Sequence, residues 1–169
     1  DWSGSDTFSG NLGSSNLTVS SGTMTVSTGT ISGSGTVAVN SGATLSADAS
    51  KLSGEAIAGT GAITISNLQA KTDSSFVGLD TGLSVTANWS SSIATYTGNL
   101  TNVDALSIRS GTMTVDDSIL GTTTVNGSGN LTVNANDTSL DLSNVSSCLG
   151  TVTINDSASS VNIIGSAGN

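Results

Sequence analysis

The sequence predicts an all-β chain wound into a parallel β-helix, a β-solenoid with coils of about 19 residues. Three observations carry that prediction. Apolar residues recur in alternating triplets: Leu17-Thr18-Val19, Val37-Ala38-Val39, Ile63-Thr64-Ile65, Leu83-Ser84-Val85, Leu131-Thr132-Val133 and Val152-Thr153-Ile154. Alternation at period two marks a half-buried strand, and Val, Ile and Thr suit a pleated surface. Equivalent positions then return at a nearly constant interval, as Val19 and Val39, Ile31 and Leu52, Leu131 and Leu149, Val133 and Val152, and Val145 and Ile164 do. Finally, the whole pattern occurs twice.

The duplication centres on Ser21-Gly22-Thr23-Met24-Thr25-Val26, which returns unchanged as Ser110-Gly111-Thr112-Met113-Thr114-Val115. Its flanks follow. Leu17-Thr18-Val19 aligns with Leu106-Ser107-Ile108, and Phe8-Ser9-Gly10-Asn11-Leu12 with Tyr96-Thr97-Gly98-Asn99-Leu100. Asp1-Trp2-Ser3 aligns with Asn88-Trp89-Ser90, and Gly61-Ala62-Ile63-Thr64-Ile65 with Gly150-Thr151-Val152-Thr153-Ile154. The chain divides into a first unit, residues 1–87, and a second, residues 88–169, expected to form one continuous solenoid. Asp1 falls on a repeat boundary, so the chain reads as a piece of something longer or as one whose leader has been removed.

Within the first unit, residues 17–35 and 36–54 make successive rows, and a third begins near Glu55. Ser21-Gly22, Ser41-Gly42, Thr60-Gly61 and Thr81-Gly82 fall between strands, where Gly supplies the positive φ of a tight turn. Asn40, Asn67, Asn126, Asn134 and Asn155 follow strand triplets. Asn tolerates the left-handed region, and stacked Asn side chains form ladders. Pro is absent, as suits central strands that donate to a neighbour. Residues 72–105 are less regular and carry Phe76, Trp89 and Tyr96. They read as the junction between units, with Trp2 and Phe8 playing the same part at the start. About nine coils fit the length, giving a rod of roughly 40 Å at ~4.8 Å per coil. The rival architecture is two tandem immunoglobulin-like sandwiches. The finer period, the missing Pro and an aromatic content of 3% count against it.

The 169 residues include 33 Ser and 25 Thr, about a third of the chain. Three basic residues, Lys51, Lys71 and Arg109, stand against twelve acidic ones, for a formal charge of −9. That balance excludes a phosphate-neutralising nucleic-acid surface and disfavours anionic lipid. No apolar run reaches membrane-spanning length. Without His there is no Ser-His or Cys-His pair and no zinc-type ligand set. Cys148 is the one cysteine and reads as a small core residue.

Carboxylates are the remaining candidates for chemistry: Asp104, Asp116, Asp117, Asp137 and Asp141. Paired acids on a solenoid face can cleave polysaccharide, and Asp116-Asp117 is the best pair. Neighbours on a strand face opposite ways, so these two meet only in a turn, and the first unit has Ser27-Thr28 there. They read foremost as solvated turn acids, so no enzyme activity and no catalytic, cofactor or metal site is expected. A Ca²⁺ site shared with Asn134, Asn136 and Asp137 is the one cofactor considered. Thr23-x-Thr25, Thr112-x-Thr114 and Thr122-Thr123-Thr124 raise an ice-binding threonine face, but Ala43 and Leu45 are expected to replace the threonines in the next row. Eight Asn-x-Ser/Thr sequons, at Asn16, Asn88, Asn99, Asn126, Asn130, Asn136, Asn144 and Asn155, permit glycosylation.

Leu17–Val26 and Gly127-Ser-Gly-Asn-Leu-Thr-Val-Asn134 resemble repeat segments of large bacterial surface and secreted proteins. Autotransporter passengers and filamentous-haemagglutinin-like adhesins are the groups they are similar to. The resemblance implies a right-handed parallel β-helix outside the cell, and it carries no site residue across. The functional expectation is a structural module, a stalk or adhesin spacer or a filament subunit. Its partners would be its own kind, end to end, or neighbouring repeats, with host or surface glycans as a further class. A carbohydrate-binding or carbohydrate-cleaving solenoid is the alternative.

Overall fold

A computed structural model of the chain describes residues 1–33, 35–136, 139–145, 147–148, 150–156 and 162–164. Every strand pairing in it is parallel and joins one coil to the next. The protein is a β-solenoid of about eight turns. The tandem-sandwich alternative, which needs antiparallel sheets, is thereby set aside.

The first unit winds as β1 (Asp6–Phe8), β2 (Leu17–Val19), β3 (Gly22–Val26), β4 (Val37–Val39), β5 (Ala43–Asp48), the one-turn helix α1 (Ala49–Leu52), β6 (Ile57–Gly59) and β7 (Ala62–Ser66). β8 (Ser84–Trp89) crosses into the second unit, which continues as β9 (Ser92–Tyr96), β10 (Ala105–Ile108), β11 (Gly111–Asp116) and α2 (Asp117–Leu120). β12 (Thr124–Gly127), β13 (Asn130–Ala135), β14 (Ser139–Asp141), β15 (Ser147–Cys148), β16 (Val152–Asp156) and β17 (Asn162–Ile164) complete it.

The coil has three sides. The first holds the sheet β2-β4-β6, and β14-β17 form a separate two-stranded sheet. The second is one eight-stranded sheet, β1-β3-β5-β7-β8-β10-β12-β15, which runs through both units. The third side carries α1 and the 3₁₀ turn Leu68–Ala70 in the first unit. The sheet β9-β11-β13-β16 continues it in the second. Along the second side the core file Phe8, Val26, Ala47, Ile65, Ala87, Leu106, Val125 advances by 18 to 22 residues per step. Coils are about 19 residues apart, as expected, and about eight turns form rather than the expected nine. Seven spacings of ~4.8 Å make the long sheet roughly 34 Å tall.

Alternation buries one face of most strands, and the buried residues form one continuous cluster. The junction aromatics are interior rather than covering: Phe76, Trp89 and Tyr96 are all 0% exposed. Trp2 and Phe8, their counterparts at the first coil, are only partly buried and meet edge to face with centroids 6.5 Å apart. The Trp2 Nε1 is buried without an acceptor, whereas Trp89 Nε1 donates to the Ser92 carbonyl. Expected row partners shift in the second unit: Leu131 lies opposite Val152, and Val133 opposite Ile154 rather than Val152. Leu149 and the Cys148 side chain lie outside the described residues.

Backbone ladders are reinforced by side chains that reach one coil along. Gly22 and Gly111 make the sharp corner before β3 and β11 at φ 70° and 78°. A Cβ there would overlap a backbone carbonyl of the preceding coil, that of Gly4 or Ser92. Asn67 is left-handed at φ 51°, as expected, and Asn102 at 67°. The Asn102 amide donates to the Leu79 carbonyl at 2.7 Å, tying two turns together.

Candidate functional site

The four described candidate acids do not converge. Asp104 precedes β10 and accepts the Val85 amide at 2.7 Å. Asp116 ends β11, Asp117 opens α2 and Asp141 ends β14. Asp137 lies outside the described residues. Asp117 accepts the amide of its own neighbour Ser118. Hydrogen bonds from Ser143, through its amide and then its hydroxyl, hold the Asp141 carboxyl below the usual carboxylate range.

At the corner between the third and first sides, Asp116, Asn134 and Asn155 are successive partners in the ladder. Asn134 Nδ2 donates to Asp116 Oδ1 at 3.0 Å, and Asn155 Nδ2 donates to Asn134 Oδ1 at 3.2 Å. The expected Asn ladder exists here, with an aspartate as its first rung. In this arrangement the Asn134 oxygen is engaged by an amide. Asp48 forms a similar corner in the first unit, accepting from Ser66 Oγ and Asn67 Nδ2, each at 2.7 Å. Among the described residues no group of three or more acidic, His or Cys side chains is placed to hold a metal ion.

The threonine rows are in a different register from the expected one. Thr23 and Thr25 lie opposite Thr44 and Ser46, not Ala43 and Leu45. This coil is 21 residues long rather than 20, which moves the row by one position, so the hydroxyls stay on the outer face. The outer file of the second side runs Thr7, Thr25, Ser46, Thr64, Thr86. On the third side Thr95, Thr114, Thr132 and Thr153 make a second unbroken file, flanked by Ile93, Thr112 and Asn130. Ile93 is 83% exposed. Sequence spacing alone missed these files because coil lengths vary.

A groove of about 430 Å³ lies between the loop Gly98–Asn102 and the segment Ser118–Thr123 that includes the end of α2. Among the described residues no aromatic ring lines it, and the large rings at the junction are interior. The three cationic side chains are all engaged. Lys51 Nζ donates to the Gly29 carbonyl, Lys71 pairs with Asp73 at 2.7 Å, and Arg109 Nε donates to Asn88 Oδ1. Of the sequons, Asn88 is spent internally: it is 9% exposed and its Nδ2 donates to the Ile65 carbonyl.

Among the described residues no helix is long and apolar enough to cross a membrane. Comparison with protein-family models, curated proteins and solved structures returned no match.

Proposed function

We propose that the chain is a structural repeat module of an extracellular surface protein, serving as a stalk or adhesin spacer or as the subunit of a filament. The observation that supports this most is the eight-stranded sheet that passes through both units without interruption. A boundary crossed by a continuous hydrogen-bonded ladder and a continuous core resists bending there, as a spacer requires. The extracellular placement rests on the resemblance of Leu17–Val26 and Gly127–Asn134 to bacterial surface repeats. Single-molecule extension of the chain between two reference domains tests the mechanical role. The reading requires both units to yield in one high-force event, and stepwise yielding at low force would overturn it.

The regular hydroxyl files favour one second reading, a face that orders water or binds ice. Rungs are spaced ~4.8 Å apart, and Thr23 with Thr25 and Thr112 with Thr114 add a second threonine to their strands. Measurement of ice-crystal shaping would show faceting, abolished by replacing Thr114 and Thr132 with Lys; unshaped growth with the native chain would discard it. For the carbohydrate alternative the groove between Gly98–Asn102 and Ser118–Thr123 is the candidate surface, and a glycan array probes it.

A further inference from the structure

The meeting of the two units inside the molecule shows what the end of a unit binds. β7 pairs along its far edge with β8: Ile63 lies opposite Val85 and Ile65 opposite Ala87. With that coil in place, Ile63 and Ile65 are 1% and 0% exposed. The duplicate of β7 is β16, through the alignment of Gly61–Ile65 with Gly150–Ile154. β16 pairs with β13 on one edge. Among the described residues it is the last strand of its sheet. Its Val152 and Ile154 are only partly buried. On the same final coil, Ile163 and Ile164 of β17 are 50% and 49% exposed.

The opposite end is built differently. Asp6 sits opposite Met24, on the core file that continues as Leu45, Ile63 and Val85. The Asp6 carboxylate is exposed and accepts the amide of its own neighbour Thr7 at 2.7 Å, so a coil stacked there would have to bury a charge.

Resting on the reading of the chain as a repeat module, we propose that the outer edge of β16 is an acceptor for a further unit of the same repeat. The unit docks by parallel strand addition and extends the sheet as β8 extends β7. The incoming strand has the chemistry of Leu83–Trp89. Its equivalent of Val85 lies opposite Val152, and its equivalent of Ala87 opposite Ile154.

The test appends a second copy of residues 81–103 directly after Asn169, which preserves the 89-residue phase of the duplication. Amide exchange is then compared between the native and extended chains. The amides of β16 exchange roughly 100-fold more slowly in the extended chain, since a paired edge opens less often. Ile154→Lys in the extended chain restores fast exchange while β10 and β11 stay protected. Equal exchange of β16 in the two chains, with β10 and β11 protected in both, overturns the proposal. That result together with a single high-force event leaves the spacer reading standing. Protected β16 amides in a chain that yields at low force overturns the spacer reading alone.

Discussion

Met24 and Met113 hold the same place in two identical hexapeptides, and both are fully buried, yet they reach the core from different sides of the coil. Met24 lies opposite Leu45 in the eight-stranded sheet, and Met113 lies opposite Leu131 in the four-stranded one. The cause is a mismatch of lengths. Four coils, from Phe8 to Ala87, take 79 residues, while the hexapeptide repeats after 89. The surplus carries the second unit onto the next side. Pairing inside each unit is nevertheless the same: Trp2 faces Val19 as Trp89 faces Ile108.

Continuity across the boundary makes the two units one folding body. Leu106 is 0% exposed, between Ala87 and Val125. Leu106→Ala should cost about 2–5 kcal/mol, the usual range for a large core residue. Urea unfolding followed by Trp fluorescence and by far-ultraviolet dichroism should give one midpoint, shifted equally in both signals. Two separated transitions would mean that the units fold independently.

Two glycines separate backbone strain from steric overlap. Gly42 has φ 79° with open space around the position of a Cβ, whereas Gly111 has φ 78° and a backbone carbonyl there. Gly42→Ala should cost about 1 kcal/mol from the left-handed conformation alone. Gly111→Ala should cost clearly more, because Ser92 belongs to a paired strand and cannot withdraw freely. Equal midpoints for the two variants would contradict this.

Tyr96 makes stability fall at high pH. Burial pushes its phenol up to about 12, with the Asp73 charge adding to the rise and the hydrogen bonds around Ser74 and Asn99 opposing it. Its hydroxyl donates to the Ser74 carbonyl at 2.8 Å. Below pH 10 the phenol is protonated whether folded or not, so its contribution is constant. Between about 10 and 12 only the unfolded chain ionises, and stability drains away by roughly 2–3 kcal/mol. Tyr96→Phe should be less stable at neutral pH and should lack this part of the alkaline decline. Thermal melts at pH 9 and pH 11.5 compare the two slopes.

Removing the charge from the blunt end should make it adhesive. Asp6→Leu continues the aliphatic file of Met24 to the edge of the first coil. Sedimentation velocity across a concentration series should show association absent from the native chain at that end. An unchanged distribution would deny Asp6 a protective role.

The alternating triplets, the interval near 19 and the duplication were enough to read the fold, since each is a direct imprint of strand pleat and coil circumference. Register was harder. Coils of 18 to 22 residues let Val133 match Val152 by spacing while pairing with Ile154 in space. The same variation hid Thr44 and Ser46 as the partners of Thr23 and Thr25. The longest steps, Val26 to Ala47 and Ile65 to Ala87, take up their extra residues off the second side, and no periodicity marks how a coil divides among its sides. Junction aromatics were legible as markers but not as interior residues, because burial depends on what stacks above them. Asp116 and Asn134 were found as neighbours, although a polar ladder and a ligand shell draw on the same residue types.

The surplus that turns one unit relative to the last has an outcome for any longer string of them. Each added copy would carry its surface onto the next side of the coil, so a given patch would not face the same way in successive copies. A contact carried by one copy would therefore trace a spiral up the shaft, and a flat partner would meet it at intervals rather than as an unbroken stripe.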